Sequence, residues 1–402
     1  MTELSILEQR DALVAELQAR MSPAGEKPRY GVIGTGMMGR EHLRAILQLD
    51  QAVITGICDS HPESLALAEA EFAVRGLAPP TRFASAEAMA LAEQVDALFI
   101  CTPNFTHRAV FDQVAPSGKP VFLEKPMATT LPDALYVAEK CRHYPAPIQV
   151  GMQYRFKSQY QLALNALAAG NIGAVHMISL CEYRPPFLGK VNEWNKFTEY
   201  SGGTLVEKCC HYFDLLNRIA GSLPARVYAS GGRAVNFLDF EREGKRSDID
   251  DHAMVIVEYE NGIRGQFTLN MFARELYEEL IVGGAHGMIR TTEHASFQPD
   301  RPSRAHIRIE VADHEAYGGV DCTFPEDIEL GGHYGSTLFE HDRFYRRLQG
   351  EETDGATCDE GLWAIIVAAM AQDSIRAGTV IDVRTALAEQ GLDPYRLSGV
   401  SE

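Results

Sequence analysis

The chain has 402 residues, 46% hydrophobic and 23% charged, with a formal charge of −18 at pH 7, which is room for two ordinary globular domains. The negative balance excludes nucleic acid and anionic membrane as partners, because both are held by basic surface. No apolar run reaches a membrane span, and the N-terminus lacks the charged-then-apolar pattern of a signal peptide. Eight cysteines are scattered without a Cys-x-x-Cys, and Cys209 and Cys210 are adjacent. That usage fits the reduced thiols of a cytoplasmic protein and predicts no metal site.

In chain order, Leu4, Leu7, Val14, Leu17 and Met21 recur at helical spacing and predict an amphipathic helix over 3–21, before the Ser22-Pro23-Ala24-Gly25 break. It docks either on its own domain or on a second subunit. From residue 30, apolar runs at 30–34, 53–58, 95–101, 120–123 and 148–152 alternate with helical stretches at 37–49, 62–71, 85–93, 106–115 and 131–143. This rhythm predicts a doubly wound, mostly parallel sheet. After residue 151 a helix (158–169) leads into strand patterns at 174–183, 225–237, 252–259, 263–272, 278–283 and 304–311, with turn signals at Gly231-Gly232 and Asn261-Gly262. An antiparallel sheet is expected there, followed by a last helix near 359–377. The segments are therefore 1–29, 30–150 and 151–402.

The first motif is Gly34-Thr35-Gly36-Met37-Met38-Gly39, between the apolar run Tyr30–Ile33 and a helical pattern. In that context a Gly-x-Gly-x-x-Gly marks a dinucleotide-binding turn, with the diphosphate at the helix N-terminus. Asp59 ends the second strand, 25 residues after Gly34. A carboxylate there accepts from the adenosine ribose hydroxyls and repels a 2′-phosphate, so NAD is expected rather than NADP; a turn or N-cap aspartate is the plainer alternative. Thr102-Pro103-Asn104, with His107 three residues on, closes the strand of the 95–101 run at the cofactor edge. Asn104 and His107 are expected on the nicotinamide side, with a capping role as the alternative for Asn104. Glu124-Lys125-Pro126 follows the buried run Val121–Leu123, at the strand end where open α/β sheets bind ligands. Desolvation there lowers a lysine pKa and suits Lys125 to proton transfer or to hydrogen bonding a reacting hydroxyl. Pro126 is a place for a cis bond.

Thr204–Ile219 reads as one helix, with Glu207, His211 and Asp214 at i, i+4 and i+7 and Lys208 beside them. A histidine oriented by Glu207 is a plausible general base for a hydroxyl that loses hydride. One histidine and one glutamate are too few for a zinc site.

Together these motifs, with Gln153-Tyr154-Arg155-Phe156 and the Gly202-Gly203-Thr204 run, resemble the Gfo/Idh/MocA family of sugar and cyclitol oxidoreductases over nearly the whole chain. The resemblance implies a Rossmann domain over 30–150, then an α/β domain over 151–402 whose open, mostly antiparallel sheet binds substrate and packs against a second subunit in a dimer or tetramer. It implies NAD held by Gly34–Gly39, Asp59, Thr102, Pro103, Asn104, His107, Glu124 and Lys125, and Lys125 with His211 as the catalytic pair. Where many members have aspartate, this chain has Glu207. Arg155, Arg184, Lys190, Trp194, Asn195 and Lys208 are expected at the substrate. The cations favour an anionic sugar through charge-assisted hydrogen bonds, although Arg184 and Lys190 also read as solvated loop residues. A second activity on the same scaffold is an NAD-dependent glycosidase, such as a sulfoquinovosidase, that oxidises, eliminates, hydrates and reduces with retained NAD.

Overall fold

The computed structural model describes residues 3–296, 303–311 and 319–394; the ends of the first and third predicted segments, 1–2 and 395–402, lie outside them. The N-terminal helix runs Glu3–Gln18 and buries Ile6, Val14 and Leu17 on its own chain, Val14 and Leu17 against Leu49, Phe156 and Phe339 among others. Of its two expected dockings, the structure shows the first.

Six strands then form a parallel sheet: β1 (Arg29–Ile33), β2 (Val53–Cys58), β3 (Thr81–Arg82), β4 (Ala97–Ile100), β5 (Val121–Leu123) and β6 (Ile148–Val150), in the order β3-β2-β1-β4-β5-β6. β4 and β5 are wholly buried, as strands covered by helices on both faces must be. The order reverses beside β1, so the carboxyl ends of β1, β2, β4 and β5 open on one crevice, where such sheets take ligands.

A larger sheet follows: β7 (Val175–Tyr183), β8 (Pro224–Gly232), a small hairpin of β9 (Glu241–Arg242) and β10 (Lys245–Arg246) standing apart, then β11 (His252–Tyr259), β12 (Arg264–Asn270), β13 (Leu276–Gly284), β14 (Gly287–Ala295), β15 (Arg304–Val311), β16 (Val320–Asp321) and β17 (Ile381–Asp382). Its nine strands run β16-β15-β14-β13-β7-β12-β11-β8-β17, antiparallel except for the β12–β7 pair. Gly231 and Gly232 are not a turn but the end of β8, paired with Ala253 and His252. Burial alternates along the strands: Ile178, Leu180, Val255, Phe267 and Leu280 point inward, while Met177, Tyr228, Met254 and Ile256 are exposed on the other face.

Several elements escape the sequence pattern, β3, β14 and helix Ser336–Leu348 among them. β3 is two residues long; β14 points Thr291 and Glu293 inward; helix Ser336–Leu348 buries Glu340, His341 and Asp342. Polar residues on a buried face erase the periodicity that pattern reading depends on. No helix among the described residues is long and apolar enough to cross a membrane.

Candidate active site

The glycine turn is shaped by close approach. Gly34 has φ +88°, and a Cβ on it would lie 2.6 Å from the backbone of Cys101 and Thr102; a Cβ on Gly39 would lie 1.9 Å from the Gly34 carbonyl oxygen. At Gly36 a Cβ would meet nothing within 4 Å, so here the open space lies in front of the turn. Helix Met37–Leu49 begins there without a side-chain cap, leaving its first N–H groups to an anion. Thr35 is buried, whereas Met37 is exposed. Asp59 Oδ2 accepts from the Thr35 N–H at 2.7 Å, and its Oδ1 accepts from the His61 N–H at 2.8 Å. The carboxylate thus braces the turn as well as standing at the end of β2. These residues fit a dinucleotide: Gly34–Gly39 for the diphosphate, Asp59 for the ribose, and the ends of β4 and β5 for the nicotinamide.

After β4, Thr102 and Pro103 lead into a turn begun by Asn104, whose Nδ2 is buried with no hydrogen-bond partner among the described residues. A donor left unmade at the cofactor edge points to a ligand. His107 does not face the nicotinamide. Its ring nitrogens lie 2.8 Å from the Pro126 carbonyl and 2.9 Å from that of Thr102, so it ties two strand-end turns together.

Lys125 is partly buried at the end of β5, before a cis Lys125-Pro126 bond. Its Nζ donates to the Glu207 backbone carbonyl at 2.9 Å. That carbonyl is the acceptor a continuous helix would offer to His211, and the expected single helix is broken: Thr204–Glu207 and Cys210–Ala220 are separate. Burial by itself lowers the Lys125 pKa, but Glu207 and Glu124 outweigh it, and the ammonium is held above its usual value. The expected downward shift is therefore reversed. Glu124 uses Oε2 to accept from the Lys125 N–H at 3.0 Å.

His211 is buried, stacked on the Tyr154 ring with centroids 4.1 Å apart and planes 6° apart. Burial and the charges of Lys125 and Lys208 hold its pKa well below 6.5, so it is a neutral imidazole. Glu207 does not orient it. The Glu207 carboxylate pairs with Lys190 Nζ at 2.8 Å, and His211 Nδ1 has no partner among the described residues. Asp214 is spent on Arg155, which holds it through Nε at 2.6 Å and reaches Glu360 at 3.0 Å. Arg155 is thus a buried structural clamp rather than a substrate ligand. Asn195 is fully buried and donates to the Leu188 carbonyl at 3.0 Å, so it shapes the loop. Trp194 lies under the Lys190 ammonium at 4.5 Å and beside Phe105.

The remaining cations converge on Glu182, at the end of β7. Lys208 Nζ is 3.0 Å from Glu182 Oε1 and donates to the Tyr154 hydroxyl; Arg184 Nη1 is 3.8 Å from the same oxygen. Lys125, Arg184, Lys190 and Lys208 thus lie among three carboxylates, Glu124, Glu182 and Glu207. Sequence reading missed Tyr154 and Glu182 as site residues. Only a tyrosine inside an otherwise matched motif and an acid on the inward alternation of a strand hinted at them. A cavity of about 770 Å³ is lined in part by Arg155 and Asp214 together with Leu164, Ile219 and Trp363.

Fold and crevice together define a dinucleotide-dependent oxidoreductase built from a Rossmann domain and an open-sheet domain. Residues 28–152 match the oxidoreductase family's NAD-binding Rossmann fold, and residues 165–383 match its C-terminal alpha/beta domain. The chain belongs to the Gfo/Idh/MocA oxidoreductase family, and its nucleotide domain is that family's NAD-binding fold. It is 26% identical to an inositol 2-dehydrogenase of Rhizobium meliloti over 72% of this chain and 80% of that one. It is also 26% identical to a 2,7-anhydro-N-acetylneuraminate hydratase of Escherichia coli over 72% of this chain and 79% of that one. Among solved structures, the Bordetella pertussis WlbA dehydrogenase, in complex with NADH and UDP-GlcNAcA, superposes with a TM-score of 0.69 at 24% identity, covering 89% of this chain and 98% of that one.

Proposed function

We propose that the protein catalyses NAD-dependent hydride transfer at a secondary hydroxyl of a sugar or cyclitol bearing an anionic group. The observation that carries this is the placement of two groups of opposite proton affinity by one peptide segment. Lys125, bonded to the Glu207 carbonyl, is an ammonium, and His211, four residues beyond Glu207, is a neutral base. His211 takes the hydroxyl proton, and Lys125 donates a hydrogen bond to the oxygen as charge develops on it. NAD, when bound, supplies the hydride acceptor. A panel of neutral and acidic sugars and cyclitols, read as NADH absorbance, tests the assignment.

The anionic group rests on the surplus of cations over carboxylates. In a protein of charge −18 an anion is held by local, pre-placed cations. Arg184 offers a planar fork suited to carboxylate or sulfonate. Arg184→Ala is expected to raise KM by about tenfold or more for a carboxylated or sulfonated sugar and hardly to affect its neutral analogue, the loss of a charge-assisted bond being worth about 1.5–3 kcal/mol. Equal effects on both would remove the anionic subsite.

Asp59 supports NAD over NADP by at least about tenfold, or 1.4 kcal/mol. Calorimetric titration of the apoprotein with each cofactor checks this, and equal affinities would leave Asp59 with its bracing role alone. The exposed Met177, Tyr228, Met254 and Ile256 on the outer sheet face support pairing of two copies through that sheet.

A second reading, a redox-neutral glycosidase with retained NAD, is favoured by the hydratase relative, whose named reaction is not an oxidation. It predicts released aglycone without accumulated NADH, and deuterium at C2 of the sugar after reaction in deuterated water.

A further inference from the structure

Under the catalytic turn lies a buried chain of three side chains from three elements. His42, on helix Met37–Leu49, places Nε2 2.7 Å from Glu124 Oε1 and Nδ1 2.8 Å from His341 Nε2. His341 belongs to helix Ser336–Leu348, and Glu124 precedes Lys125. His42 is wholly inaccessible, as is His341 nearly so; the His42 ring packs on Phe122 at 5.2 Å, and His341 stacks on Phe99 at 5.1 Å.

The protons of this chain follow from its partners. The Glu124 carboxylate, held below its usual pKa against the effect of burial by His42 and Lys125, can only accept, so His42 carries its proton on Nε2. His42 Nδ1 lies 2.8 Å from His341 Nε2, and burial holds the His341 pKa well below its usual value, so that ring is neutral. Its Nδ1 has no hydrogen-bond partner among the described residues.

Glu124 has its other oxygen on the Lys125 N–H at 3.0 Å. One hydrogen-bonded line therefore joins the helix whose N-terminus faces the diphosphate site to the backbone of the catalytic lysine. We propose that His42 is a positioning residue: through Glu124 it couples filling of the diphosphate site to the set of the Lys125 turn. The proposal rests on Lys125 being catalytic, but its test needs no substrate.

The probe is ADP-ribose, which carries the diphosphate and lacks the nicotinamide that would touch Lys125 directly. Hydrogen exchange is followed by mass spectrometry in peptides covering 34–40 and 121–131. In the wild type ADP-ribose is expected to slow exchange in both segments, the second by about fivefold, a typical coupling between sites. In His42→Ala the first segment stays protected and the second exchanges equally with and without the probe. His42→Gln, whose amide can still donate to Glu124, is expected to retain the coupling. If the alanine variant fails to fold, His42→Leu, which fills the space without a donor, takes its place. Protection of 121–131 that is unchanged in the donor-less variant, or absent in the wild type, would overturn the proposal. A sugar panel showing no oxidation would instead strike the substrate assignment and leave this result standing.

Discussion

Lys125→Ala is expected to lose about 10²- to 10⁴-fold in turnover while still binding NAD, since general acid–base groups contribute on that scale. The ammonium is fixed by the Glu207 carbonyl at 2.9 Å and by Glu124 through the adjoining backbone, neither of which depends on the nucleotide. Single-turnover formation of NADH and a calorimetric NAD titration separate chemistry from binding. Near-native turnover would return Lys125 to an ordinary strand-end lysine. His211→Ala should lose a similar factor. Glu207→Gln should cost less, because it breaks the Lys190 pair but keeps the carbonyl that holds Lys125. The pH profile is a second check. The neutral imidazole is the active form and its pKa is held well below 6.5, so the acid limb of kcat/KM should lie below that value.

Lys157→Met should be the most damaging single change to stability, about 3–5 kcal/mol, the usual cost of removing one partner from a buried ion pair. Lys157 is 1% exposed and lies 2.8 Å from Glu278 and 2.6 Å from Glu293. Tyr160 and Tyr212 also donate to Glu278, at 2.9 and 2.8 Å. Without the ammonium, which also sits 4.1 Å from the centre of the Tyr154 ring, two carboxyls remain buried without their ion-pair partner. Urea unfolding at several pH values reads the effect, and adding Glu278→Gln and Glu293→Gln should recover most of it. Burial lifts the Glu293 pKa to about 7 from 4.5, against the pull of Lys157. A carboxyl raised on folding contributes stability that is complete below its unfolded pKa and is lost as pH rises through its folded one. The deficit of Lys157→Met should accordingly narrow from pH 8 toward pH 5, as its carboxyls take up protons. A deficit independent of pH, or under about 1 kcal/mol, would mean the cluster is not an ionic core.

Much of this was legible beforehand because local signals agreed. The glycine turn, the parallel strands, Asp59, and Lys125 at a strand end all follow from short-range rules of backbone space and hydrophobic period. The errors cluster where a distant side chain intervenes. Glu207, His211 and Asp214 share helical spacing, yet the helix is interrupted between Glu207 and Cys210, Lys125 takes the Glu207 carbonyl, Lys190 takes its carboxylate, and Arg155 takes Asp214. Arg155 and His107 have the chemistry of ligands and are spent on internal partners, while Asn195 commits its Nδ2 to the Leu188 carbonyl and leaves a buried Oδ1 without a partner among the described residues.

The sequence by itself determined the nucleotide-binding fold, because glycine sterics and strand-end placement act over a few residues, while the family and the proposed pair of Lys125 and His211 came from the resemblance its motifs carry. Which charges stand opposite which was decided by the tertiary structure. Glu182, Tyr154 and Lys208 are joined across 54 residues of chain in one contact, and His42 and His341 across 299 in another. A buried charge is stable only against the partner that packing brings to it, and no local pattern records that partner.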